Sequence, residues 1–213
     1  MVFVIGLDAS ALPIIVPAIT DTFNSMHLIG WYGSAYLVII GLAFQVFNNI
    51  YPISCRIWGG TGLLVFKFAS FLSFEGGSLC CYLASNGASV LLGRVFCGIG
   101  VAGIFSGITS CLADKYPPHG KSRHSRIAVL FLTYALSRFV GPLIGAAIMD
   151  QLGTATAWRY VFLTNLSAIA ISVFPILNWL PAYYRQSKKY QSLHGTSAAK
   201  MSILLSLFEV DIL

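Results

Sequence analysis

Six stretches of this sequence, near 2–20, 31–50, 60–84, 88–112, 127–149 and 159–180, are long, apolar and almost free of charge. A hydrocarbon core about 30 Å thick takes roughly 20 apolar residues of helix. In lipid the backbone must satisfy its own hydrogen bonds, so runs of this kind fold as membrane-crossing helices. Composition agrees: 57% of the 213 residues are hydrophobic and 9% are charged, against about 25% charged in a soluble domain. The expectation is an all-α membrane protein with six transmembrane helices. They form one bundle over residues 1–181, followed by a basic cytosolic tail at 182–213.

A net charge of +6 could suit nucleic acid, but its distribution follows membrane topology instead. Arg56 falls between the second and third runs. Lys115, Lys121, Arg123 and Arg126 lie between the fourth and fifth, and Arg185, Lys188, Lys189 and Lys200 follow the sixth. The alternate connections, 21–30, 85–87 and 150–158, hold no Lys or Arg, although Arg159 opens the sixth run on that side. By the positive-inside rule the basic loops and both termini face the cytosol. The partner that this charge implies is the lipid bilayer, not nucleic acid. No signal-peptide pattern opens the sequence. The five cysteines (Cys55, Cys80, Cys81, Cys97, Cys111) lack metal-ligand spacing and read as small apolar packing residues. His119 and His124 read as loop residues.

Small residues mark where helices meet. Gly141 and Gly145 are four apart in the fifth run and stack on one face, which lets another helix approach closely. Pro142 removes a backbone donor between them, so a bend is expected there. In the fourth run Gly93, Gly100, Gly103 and Gly107 fall within an arc of about 80° at 100° per residue. Gly98 and Arg94 lie off that stripe.

Three ionisable residues stand inside apolar runs: Asp8, Glu75 and Arg94. A charge in the bilayer core is costly unless it meets a partner or a watery cavity, so each is a transport candidate. Asp8 also reads as a helix-end residue near the interface, and Arg94 as an arginine snorkelling from a helix end. Lys67 and Glu75 are eight apart, on roughly one face but too distant to pair directly. Tyr36 and Gln45 suit a pore or a helix contact, and Trp31 a membrane-entry belt.

The order Gly141-Pro142-x-x-Gly145, an exit loop, then Trp158-Arg159-x-x-Phe162-x-x-Asn165 resembles the antiporter motif of the major facilitator superfamily. It is most similar to that of the fungal fourteen-helix drug:proton antiporter branch. Leu7-Asp8-x-Ser10 with Pro17-x-Ile19 is similar to the first-helix motif of that branch. Arg94-x-x-x-Gly98-x-Gly100-x-x-Gly103 resembles its proton-coupling motif. The sequence departs from the family at 48–70, where of the basic latch between helices 2 and 3 only Arg56 corresponds. It departs also at Ser167, where the family has Pro, and at Ala146, where it has Gly.

The resemblance implies the N-terminal bundle of a transporter with two pseudo-symmetric halves and a substrate site between them. It implies proton-driven efflux of small amphipathic organic compounds, drugs or toxins. Asp8, Arg94 and Glu75 would be the charged elements, and Trp158, Arg159, Phe162 and Asn165 a structural motif. A siderophore or other solute carrier of the same superfamily, or a truncated non-transporting membrane protein, are the alternatives. The phosphate-binding pattern Gly-x-x-x-x-Gly-Lys-Ser/Thr is absent, and no enzyme activity, cofactor or metal is expected. The plasma membrane is the expected location, a vacuolar or other internal membrane the alternative. Family members carry a longer tail before helix 1 and further helices after helix 6. The chain is therefore expected to be clipped at its start, to stop at the approach to helix 7, and not to transport alone.

Overall fold

The protein is described by a computed structural model covering residues 1–58, 60–115, 121–153 and 156–166. Helix dominates: α1 (Val2–Phe23), a 3-10 turn (Met26–Leu28), α2 (Ile29–Trp58), α3 (Gly60–Tyr82), α4 (Gly87–Lys115), α5 (Lys121–Leu152) and α6 (158–166). No strand occurs among the described residues. Residues 116–120 with His119, the part of the sixth apolar run after 166, and the tail 182–213 lie outside the described residues. So do the side chains of 55–64, within the segment that departs from the family pattern.

Four segments are long and apolar enough to cross a bilayer by length and composition: Val2–Phe23, Met26–Tyr51, Gly87–Ser110 and His124–Leu152. At 23 residues α3 is also long enough, but Lys67, Glu75 and several Gly and Ser residues dilute its apolar character. The helix ends have local causes. Asn24 takes the left-handed conformation (φ 48°, ψ 41°) that Asn tolerates, and its N–H donates to the Thr20 carbonyl. The Asn86 side chain caps α4 by accepting from the Ser89 backbone N–H at 2.8 Å. Gly153, at φ +52°, closes α5. Pro13, Pro17 and Pro142 lie inside helices that continue past them.

Packing follows the small residues. α4 is gripped by α3 on one side and α2 on the other, while α1 pairs with α5. Along α4, Gly93, Gly100, Gly103 and Gly107 lie against α3 at Gly77 and Cys81, at Ser70 and Phe74, at Ser70, and at Lys67. A Cβ on Gly100 would lie 2.5 Å from the Phe74 backbone N, so the two backbones are nearly in contact. Gly98 faces elsewhere, against Tyr36 and Ile39 of α2. On the other pair, Gly141 abuts Leu7 and Ser10, and Gly145 abuts Ala11. Gly6 of α1 accepts Tyr134 and Ser137 of α5 in return.

Hydroxyls fasten the same contacts. Tyr51 donates to the Gly103 carbonyl at 2.9 Å, Ser106 to Asn48 at 2.8 Å, and Ser73 to the Phe96 carbonyl at 3.0 Å. The outward faces of α2 and α5 are apolar, with Leu42, Leu136, Leu143 and Phe139 exposed. In water so large an apolar surface would be a liability, whereas a bilayer would accommodate it.

Candidate functional site

Two apolar clusters fill the bundle. One gathers Leu12, Ile15, Ile19, Tyr32, Val90, Trp158 and Phe162, and the other Ile5, Tyr36, Phe74, Cys97, Val101 and Ile104. Asp8 and Arg94 meet among these residues. The Arg94 guanidinium donates through Nη1 to Asp8 Oδ2 at 2.6 Å, and both side chains are buried, at 0% and 1% exposure. The second carboxylate oxygen, Oδ1, accepts from the Asn165 amide at 2.7 Å. The rings of Phe162 and Tyr36 lie 4.8 and 5.7 Å from the guanidinium carbon, close enough for cation–π attraction. Four helices thus converge on one carboxylate and one guanidinium: α1, α2, α4 and α6.

The pair spans a division in the packing. α1 belongs with α5, α4 with α2 and α3, and direct α1–α4 contact is slight. A buried ion pair of this kind contributes little net stability, because desolvation offsets its Coulomb attraction. Removing one partner, by contrast, strands the other charge. Arg94 is also incompletely satisfied: Nε and Nη2 are buried without a hydrogen-bond partner, as is the Tyr36 hydroxyl. Such unmet donors are an expensive choice for a purely structural contact and suit a centre whose partners change.

The remaining sequence candidates are placed as follows. Glu75 is buried on α3, and neither of its carboxyl oxygens has a hydrogen-bond partner. Trp158 is fully buried, with its indole N–H 3.3 Å from Thr22 Oγ1 and its ring edge-on to Phe23 and Phe162. Arg159 lies over the Trp158 ring and donates to the Ala84 carbonyl at 2.8 Å, which ties the start of α6 to the α3–α4 turn. Phe162 and Asn165 of the same motif reach the ion pair. Gln45 and Trp31 are exposed. Arg138 is exposed too, 5.9 Å over the Tyr134 ring, with Nη1 3.4 Å from its hydroxyl.

Sequence reasoning did not single out Gly6 or Gly77 as close-approach positions. Each sits opposite a residue of another helix, and only the recurrence of Gly and Ser on α1 and α3 could have pointed to them.

The Major Facilitator Superfamily model matches residues 1–210. The chain belongs to that superfamily. An MFS-type transporter of Byssochlamys spectabilis, VdtG, is 37% identical over 179 residues, covering 84% of this chain and 30% of that protein. The MFS-type efflux pump MFS1 of Trichophyton rubrum is 36% identical, covering 84% and 31%. The efflux pump roqT of Penicillium rubens is 33% identical, covering 83% and 30%. The chain therefore spans about a third of the length of these curated relatives. No solved structure matches it. The apolar helices and the family together make it an integral, multi-pass membrane protein, and its fold fits the N-terminal helical bundle of a major facilitator transporter.

Within that bundle the Asn165 amide is one of two donors to the buried Asp8 carboxyl. Asn165→Ala is expected to destabilise the chain by about 1.5–3 kcal/mol, the range for a hydrogen bond to a charged group. Asn165→Asp should cost more, since it sets a like charge against Asp8. Denaturant unfolding in detergent micelles, followed by helical circular dichroism, measures both. An alanine variant as stable as the parent would show that water replaces the amide.

Proposed function

We propose that this chain is the charge-bearing helical bundle of a proton-coupled efflux transporter for small amphipathic organic compounds. The observation that carries the reading is the fully buried Asp8–Arg94 pair at the seam between the α1–α5 pair and the α2–α3–α4 group. An ion pair in a membrane bundle is expensive, and residues of this kind mark ion and proton pathways. The names of relatives that match most of the chain, efflux pumps among them, point the same way.

In this reading protons enter a buried charge set made of Asp8, Glu75 and Arg94. A change of protonation within that set alters how the helices carrying it are held together. The glycine faces supply smooth surfaces on which α4 and α5 shift against α3 and α1 without repacking large side chains. Substrate occupies the midplane beside these helices, where the family places its sites. The plasma membrane is the proposed location, the compartment from which efflux protects a cell.

A full-length efflux transporter carrying this sequence as its first bundle, expressed in an efflux-deficient yeast, tests the reading. Export of an amphipathic cationic dye should rise over the empty host, collapse with a protonophore, and fail in Arg94→Gln when counted per copy in the membrane. Export indifferent to the protonophore would sink proton coupling. Uptake of a ferric siderophore without dye export would move the chain to the solute-carrier alternative.

A further inference from the structure

We infer that Glu75 of α3, and not Asp8, is the carboxyl that holds the coupled proton, while Asp8 stays ionised as the fixed counter-ion of Arg94. The inference rests on the proton-coupled reading above and divides its charge set into two roles. The two acids have opposite surroundings. Asp8 receives a donor on each oxygen, Arg94 on Oδ2 at 2.6 Å and Asn165 on Oδ1 at 2.7 Å. Adding a proton there would break a charge-assisted bond and leave Arg94 a buried, uncompensated cation. Glu75 is 6% exposed, and both its oxygens are buried with no donor near enough to bond.

No donor among the described residues bonds to Glu75, and the polar groups of the helices packed on α3 are engaged elsewhere or unpartnered. From α1, both oxygens of Asp8 are already engaged, by Arg94 and Asn165. From α4, Arg94 is committed to Asp8, and its remaining donors Nε and Nη2 reach no acceptor, Glu75 included. Cys97, also of α4, lies near Ser78 Oγ at 3.7 Å and directs its thiol to the Phe74 carbonyl at 3.5 Å. From α2, the Tyr36 hydroxyl is buried without a partner of its own. On α3 itself, Ser78 donates to the Phe74 carbonyl at 3.1 Å. Lys67 is two turns away, about 12 Å along the axis, with its stem over Gly107.

A carboxylate in that place is a buried charge with no donor, whereas the neutral acid leaves only a hydrogen bond unmade. Two carboxyls held in environments that favour opposite protonation states are the usual mark of an acid and a fixed anion working as a set. Glu75 can therefore release its proton only when α2, α3 and α4 part enough to admit water. That requirement ties deprotonation to a movement of these helices.

Dicyclohexylcarbodiimide, an apolar reagent for protonated carboxyls in membranes, tests this on the chain in lipid nanodiscs. The carboxyl proton passes to one carbodiimide nitrogen and the carboxyl oxygen adds to the central carbon, giving an adduct located by peptide mass spectrometry. The expected result at neutral pH is an adduct on Glu75, none on Asp8, and its loss in Glu75→Gln. Infrared spectroscopy supplies a second reading that needs no reagent access. A protonated-carboxyl carbonyl band should be present in the parent and in Asp8→Asn, and absent in Glu75→Gln. An adduct on Asp8, or a carbonyl band that survives in Glu75→Gln and vanishes in Asp8→Asn, would overturn the assignment. Absence of the band from the parent would overturn it equally. Neither measurement needs transport, so an export assay that failed while Glu75 carried its proton would refute the efflux reading alone.

Discussion

Arg94→Ala is expected to cost the folded chain about 3–5 kcal/mol, because it leaves the Asp8 carboxylate buried without its cation. Against a total stability of about 5–15 kcal/mol, that loss should appear as reduced membrane abundance as well as lost activity. Asp8→Ala strands Arg94 in the same way and should cost a similar amount. The double variant Asp8→Leu/Arg94→Met, which removes both charges and keeps apolar volume, should be more stable than either single change. Unfolding of the parent, Asp8→Leu, Arg94→Met and the double variant in one detergent gives the coupling energy directly. If the double variant lost the sum of the single losses, the two side chains would not be acting on one another. Arg94→Lys should recover stability only in part, since a point charge does not reproduce the guanidinium plane between Phe162 and Tyr36.

The second large effect is expected from a single methyl group. Gly100→Ala would place a Cβ 2.5 Å from the Phe74 backbone N and 2.6 Å from the Ser70 carbonyl oxygen. Neither is the end of a flexible side chain, so α3 and α4 must separate. The cost is expected at about 1–3 kcal/mol, the range for overpacking, and Gly100→Leu should prevent the folded chain from accumulating. Gly145→Ala serves as the contrast. Its methyl would rest 3.4 Å from the Ala11 Cβ, which is ordinary contact, and should be nearly neutral. Gly145→Leu extends beyond that space into α1 and should impair the α1–α5 pairing. Equal tolerance of alanine at 100 and 145 would mean that α3 and α4 are not in such close contact.

The contrast between these glycines shows where sequence reasoning reaches its limit. The fourfold spacing of Gly141 and Gly145 and the 80° arc of Gly93, Gly100, Gly103 and Gly107 identify small-residue faces from helix periodicity alone. Which helix lies opposite each face, and how close it comes, depends on the other surface. Gly77 and Gly6 were missed for that reason. They are unremarkable along their own helices and matter only because Gly93 and Ser137 stand across from them.

Membrane class, helical fold and family were legible in the order of residues, because each depends on local properties. The length of an apolar run follows from bilayer thickness, helix geometry from the backbone's need to bond within itself, and the family from short motifs at fixed spacing. The same local logic marked Asp8, Glu75 and Arg94 as costly residues in an apolar setting, and left open whether each met a partner. Only the tertiary structure decides that. Arg94 lies 86 positions from Asp8, and Asn165 lies 157 positions away. Their meeting depends on how α1, α4 and α6 are turned about their axes once the glycine faces have packed. Asp8 gains a donor on each oxygen from that arrangement, and Glu75 gains none. Charge identity is written in the chain, but charge compensation is set by the neighbours that folding supplies.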